Sequence, residues 1–149
     1  MSIIGIRQFE QLFRKAASLD VDKNDLRRLS DFLNGKVHGL LLRGRANAKA
    51  NGRDVIEPQD LPITRGLQES VHAFQKLDET LEVKPILETL ATLPEIGAEY
   101  SEAVEQALPE VVGGLVVALA KTFKIMEPSL KNPQTEHWDK AERIFDTLI

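Results

Sequence analysis

The chain has 149 residues, 42% hydrophobic and 28% charged, enough apolar material for one ordinary soluble domain or two small ones sharing a core. It contains no cysteine, which excludes disulfides, thiolate zinc sites and cysteine nucleophiles and agrees with a cytoplasmic protein. The net charge of −4 conceals a division: residues 1–77 have a balance of +4 and residues 78–149 one of −8. An acidic molecule with a basic half repels nucleic acid at long range, yet that half can still meet phosphates.

In chain order, every strong periodicity is helical. Ile6, Phe9, Phe13 and Ala16 recur at helical spacing and predict a first helix over about residues 6–18. Its other face carries Arg7, Arg14 and Lys15 beside Gln11 and Ser18. The polar loop Asp20–Asn24, which includes Lys23, offers several N-caps. From Asn24 a helical pattern of roughly 27 residues follows, about twice a usual helix. Leu26, Leu29, Phe32, Leu33, Val37, Leu40, Leu41 and Ala48 fall within one half of its wheel, while Arg27, Arg45 and Lys49 lie on the solvated side. Glycine costs a helix about 1 kcal/mol relative to alanine, so the row Gly35, Gly39, Ala46 and Ala50 predicts close approach of another helix. Lys36 and Arg43 border the apolar stripe, where they can reach the acidic half. The pattern stops at Asn51-Gly52. Arg53-Asp54-Val55-Ile56-Glu57-Pro58-Gln59-Asp60-Leu61 then supplies a cation, a β-prone pair and an acid opening a helix over about residues 62–77.

The second half repeats this order without repeating the residues. Val83 to Leu93 reads as a short helix containing Pro85, and Pro94 to Tyr100 as a loop. Ser101, with Glu102 and Glu105, marks the start of a long run to about Met126 that Pro109 is expected to kink or restart. Pro128 to Pro133 is a further loop, and Thr135 is the expected cap of a last helix through Leu148. A shift of about 77 residues lays Asn24 on Ser101, Gly52 on Ser129 and Leu67 on Ile144, a repeat of architecture. Val111 to Ala120 is apolar all round, too short to span a bilayer, and should be enclosed on every side with the first long helix as its natural partner.

Short helix, loop, long helix, strand-like loop and further helix is the order of a histone fold. The stretch Gly52–Leu61, with its Gly-Arg, apolar pair and Asp-apolar ending, resembles the end of an archaeal histone's central helix and the loop after it. That resemblance implies a salt bridge between Arg53 and Asp60. A single histone fold normally buries its open apolar face in a dimer, so the whole chain resembles uncharacterised bacterial proteins with a duplicated histone fold. The implied architecture is all-α, with residues 1–78 and 79–149 as two fused histone-fold halves packed into an intramolecular pseudo-dimer, monomeric in solution. The implied DNA-contact set is Arg7, Arg14, Lys15, Lys23, Arg27, Arg45, Lys49 and Arg53. One departure weakens the loop's share: the family's Arg-Lys/Thr-Thr triplet is here Arg53-Asp54-Val55, with a carboxylate where a cation or hydroxyl would meet the backbone. The second half's first helix sets Lys84 among Glu82, Glu88 and Glu95, which argues against a symmetric DNA path.

Little points to catalysis. His38, His72 and His137 lack a second His or carboxylate at zinc-helix spacing, and no nucleophile elbow, phosphate loop or dinucleotide fingerprint occurs. The expectation is therefore no enzyme, no metal and no cofactor. No basic segment followed by an apolar block opens the chain, so no signal peptide and no membrane association are expected. Two functions from different classes follow. One is weak, sequence-non-specific binding of double-stranded DNA through the basic half. The other is a histone-fold interaction module that binds no DNA, its acidic half docking another protein or masking the basic one.

Overall fold

The first helix, α1, spans Ile3–Ala17 and starts upstream of its predicted position, burying Phe9, Leu12 and Phe13. The computed structural model describes residues 3–82 and 98–149. Ser18 adopts a left-handed backbone (φ 54°) that ends α1. Helix α2 (Lys23–Ala50) begins at Asp22, whose carboxylate accepts the Asp25 N–H at 3.0 Å while the Asp25 carboxylate accepts the Asp22 N–H at 3.0 Å. Each carboxylate thus satisfies a donor that the first turn leaves unpaired. All eight predicted stripe residues of α2 are buried.

The small-residue row is a correction. A Cβ added at Gly35 or Gly39 would meet nothing within 4 Å, and Ala46 and Ala50 are exposed, so no helix of the described residues approaches there. Close approach occurs elsewhere. Gly44 lies under Ile56 and Leu61, 3.2 Å from the position of an added Cβ. These belong to the two-residue strand β1 (Val55–Ile56) and to the exit from a 3₁₀ turn at Pro58–Asp60. That turn delays helix α3 to Arg65–Leu81, past the predicted Pro62, and the Thr64 hydroxyl accepts the Leu67 N–H at 3.2 Å to cap it.

Strand β2 (Glu99–Tyr100) pairs parallel with β1, Val55 opposite Glu99 and Ile56 opposite Tyr100. Helix α4 (Glu102–Met126) follows at once, capped by the Ser101 hydroxyl on the Val104 N–H at 3.2 Å. It runs unbroken through Pro109, so the restart expected there is absent. Helix α5 (Thr135–Leu148) is not capped by Thr135, which is its first residue; His137 Nδ1 instead accepts the Gln134 N–H at 2.9 Å. The predicted helix Val83–Leu93, with Lys84 and Glu88, lies outside the described residues, as does Glu95. Among the described residues the protein is thus mostly helical, with one very small sheet.

Helix α4 is the core element. From Val111 to Ala120 every residue but Ala118 is buried. Its principal neighbour is α3, followed by α1, and α2 touches it less, which corrects the expected pairing. The cause is a pair of glycines: a Cβ on Gly113 would lie 2.4 Å from the Phe74 ring, and one on Gly114 3.0 Å from the Val71 backbone. By length and composition α4 could cross a membrane, but 67% of its most apolar stretch is buried inside the protein.

The long helices α2 and α4 run in opposite senses and are tied at both ends. After α2, the β1–β2 ladder and the Ser101 N–H on the Ile56 carbonyl (2.9 Å) join them. Before α2, the Asp20 N–H reaches the Lys131 carbonyl at 2.7 Å. Helix α5 closes the far side of α2. Trp138 Nε1–H donates to Asp25 at 3.1 Å, and Phe145 meets Phe32 edge-on with centroids 5.1 Å apart. Arg28 pairs with Asp139 and, at 3.3 Å, with Glu142, while Lys36 pairs with Asp146.

Candidate nucleic-acid interface

The eight candidate cations divide into available and occupied groups. Arg7, Lys15, Lys23, Arg27 and Lys49 are exposed and have no ion-pair partner among the described residues. Lys15 closes α1, Lys23 opens α2 and Arg27 stands one turn further, so these three share the end of the molecule where α1 meets α2. Lys49 stands at the other end of α2. Arg14 is exposed but holds Asp20 at 3.1 Å, a contact that water screens. Arg45 is half-buried and already engaged.

Arg53 is the most constrained. Its Nη1 and Nη2 donate to the two carboxylate oxygens of Asp60, both at 2.6 Å, in the bidentate geometry that fits a guanidinium to a carboxylate. Asp60, only 2% exposed at its side chain, also accepts the Glu57 N–H at 2.8 Å. Its own carbonyl accepts Asn47 Nδ2 at 2.8 Å. The pair that the resemblance implies is formed, and it ties the end of α2 to the turn before α3. Arg53 hydrogen bonding, followed by the Glu57 N–H, holds the Asp60 carboxyl below the usual carboxylate range. Asp60 in turn raises the Arg53 guanidinium.

A depressed folded-state pKa gives stability that is present above the unfolded value and lost as pH falls through the folded one. Wild-type protein should therefore lose stability below about pH 4, where carboxylates begin to protonate. Asp60→Asn should be less stable near neutrality and show a flatter acid limb in thermal melts across that range. Parallel acid limbs in the two proteins would remove Asp60 from the account.

Two further cations were expected to reach the acidic half. Lys36 does so through Asp146; Arg43 stays exposed, with no ion pair among the described residues. His38 and His72 are exposed, while half-buried His137 caps α5 and places Nε2 3.4 Å from Glu127. Among the described residues no cluster of three His, Asp or Glu could hold a metal. Sequence reasoning missed the Arg28 and Trp138 contacts, although Asp139, Glu142 and Asp146 stand at i, i+3 and i+7 and mark one acidic face. It also missed the other side of α5, where a groove of about 790 Å³ lies between that helix and the end of α4.

The features define a small, mostly helical protein in which Arg7, Lys15, Lys23, Arg27 and Lys49 stand exposed. The family profile of a domain of unknown function, DUF1931, matches residues 9–146, and the chain belongs to that family. A crystal structure of a Thermus thermophilus protein is 53% identical and superposes with a TM-score of 0.86, covering 97% of each chain. A protein of Aquifex aeolicus, solved at 1.9 Å, covers both chains fully with a TM-score of 0.85; at 24% identity it attests the fold alone. Two Aquifex aeolicus (strain VF5) sequences, each called an uncharacterized protein, are also similar. One is 27% identical over 145 residues, spanning 97% of this chain and 84% of its own; the other is 30% identical over 124 residues, 77% and 74%.

Proposed function

We propose that this chain is a pair of histone-type folds in one polypeptide, a cytoplasmic, non-enzymatic protein that binds duplex DNA weakly and without sequence preference. The antiparallel long helices, tied at both ends by loop contacts, support the paired-fold reading, as does the Arg53–Asp60 bridge. The observation that carries the DNA reading is the set of exposed cations Arg7, Lys15, Lys23, Arg27 and Lys49, without ion pairs among the described residues and all in the first half. Each can displace a condensed counterion from a phosphate, which favours association at low salt and gives no base readout. Neither α1 nor α2 offers a row of Asn, Gln and Arg suited to base edges in a groove. So few contacts imply a dissociation constant in the micromolar-or-weaker range, roughly 10⁻⁴–10⁻⁶ M at physiological salt.

A salt titration on random-sequence duplex tests this. Replacing Arg7, Lys15, Lys23 and Arg27 by Gln should weaken binding equally on all sequences. The log–log salt slope should become shallower by about 0.9 per lost phosphate contact. A flat titration at low ionic strength, with folded wild-type protein, would overturn the reading. It would favour the second one, an interaction module whose acidic half masks the basic one. The specific observation behind that alternative is that Arg28 and Lys36 are already neutralised by the acidic face of α5.

A further inference from the structure

Five asparagines occur in the chain, and two of them, Asn34 and Asn51, stand directly before a glycine. Such a pair carries its own chemistry, and asparagine is a thermolabile residue for this reason. The backbone nitrogen of the glycine can attack the side-chain carbonyl carbon of the asparagine, because no Cβ crowds the approach. The attack closes a cyclic imide and expels the side-chain nitrogen as ammonia. Water then opens the ring at either carbonyl, leaving aspartate or isoaspartate. No oxidant, reductant or further co-reactant is needed. Ring closure does require the asparagine backbone to leave helical geometry and the glycine N–H to leave its acceptor, so the fold decides which pair reacts.

We propose that Asn51 is a site of spontaneous deamidation, and that Asn34, with the same neighbour, is protected from it. Exposure does not separate them, since both residues are exposed. Position in the helix does. Asn34 and Gly35 lie in the middle of α2, where the Gly35 N–H belongs to the helical ladder and opens only with the turns around it. Asn51 follows the last residue of α2 and already departs from helical backbone, at φ −103° and ψ 17°. Gly52 beyond it is left-handed, at φ 73°. The Gly52 N–H is held by the Lys49 carbonyl at 3.0 Å, and Asn51 Nδ2 by the Asn47 carbonyl at 2.9 Å. Both contacts belong to one terminal turn, and fraying of that turn frees the two reacting groups together. The product matters to the fold. A carboxylate at position 51 cannot donate to the Asn47 carbonyl, and it adds negative charge at the negative end of the α2 dipole. Asn47 in turn donates to the Asp60 carbonyl at 2.8 Å, and the Asp60 carboxylate holds Arg53. The lost donor is therefore the outer link of the chain that ties α2 to the turn before α3.

The test is to age the folded full chain in mildly alkaline buffer and to follow each asparagine by peptide mapping and mass spectrometry. Asn51 should convert at least about tenfold faster than Asn34, because the last turn opens more readily than the middle of the helix. In urea, where no helix discriminates between the two pairs, their rates should converge. Equal rates in the folded chain would overturn the proposal, as would an Asn51 that survives there for as long as the unfolded chain takes to lose both. So would a tenfold difference that persists in urea, which would assign the selectivity to flanking residues and not to the fold. The structural consequence has its own readout. Asn51→Asp supplies the new carboxylate directly and should keep the helicity of the wild type. Its Gly52 and Arg53 amides, which donate to the Lys49 and Ala48 carbonyls, should exchange with solvent about two- to fivefold faster. Unchanged exchange at both amides would overturn the claim that the modification loosens this end of α2.

Discussion

Trp138→Ala is expected to destabilise the protein by about 3–5 kcal/mol, the range for emptying a large aromatic site in a core. Trp138 is 1% exposed and meets Phe123 edge-on with centroids 5.0 Å apart. Its Nε1–H also serves Asp25, whose carboxyl burial already pushes above the usual range. Truncation would open a cavity and leave the half-buried Asp25 carboxylate with the Asp22 N–H but without its indole donor. Urea unfolding read by circular dichroism checks this. A loss under about 1 kcal/mol would mean that α5 is not part of the cooperative core.

The second large effect rests on a contrast between glycines. Alanine in place of glycine inside a helix ordinarily gains about 1 kcal/mol. At Gly39 that gain should appear, because an added Cβ meets nothing within 4 Å. At Gly114 the same methyl would stand 2.5 Å from Val71 Cγ2 and 3.0 Å from the Val71 backbone, so α3 itself must move. Gly114→Ala should therefore cost about 1–3 kcal/mol net, and Gly39→Ala should be neutral or stabilising. Chemical denaturation of the two variants side by side decides it. The same sign at both sites would refute the account of α3–α4 packing.

What could be read without coordinates was what short-range patterning determines. The α2 stripe, the Ser101 cap and the Arg53–Asp60 spacing each depend on residues within a few turns of one another, and each is formed in the structure. The failures concern choices between equally good local options. Thr135 and Gln134 both could have opened α5, and the side chain that decides is His137, three residues on. A row of glycines announces room for a neighbour without saying whether one comes: Gly35 and Gly39 face open space while Gly113 and Gly114 hold α3. Strand β2 was illegible because two residues of strand exist only through a partner 44 positions away in the chain. For the candidate site, the exposed cations were legible as residue types. Their sorting into available and occupied was legible only for Arg53, whose partner Asp60 was expected; the hold of Asp20 on Arg14 depends on how the chain turns between α1 and α2.

The separation of α5 from α2 along the chain has a consequence during synthesis. Arg28 and Asp139 are 111 residues apart, and Trp138 lies 113 residues beyond Asp25. At roughly 5–20 residues per second, a ribosome needs about 5–20 seconds to deliver α5 after α2 has emerged. Throughout that interval Phe32 must wait without Phe145, the ring that finally meets it edge-on. The nascent chain is therefore a client for any factor that shields apolar helices. A message truncated before the last helix would yield a protein that is sticky along α2 rather than merely shorter.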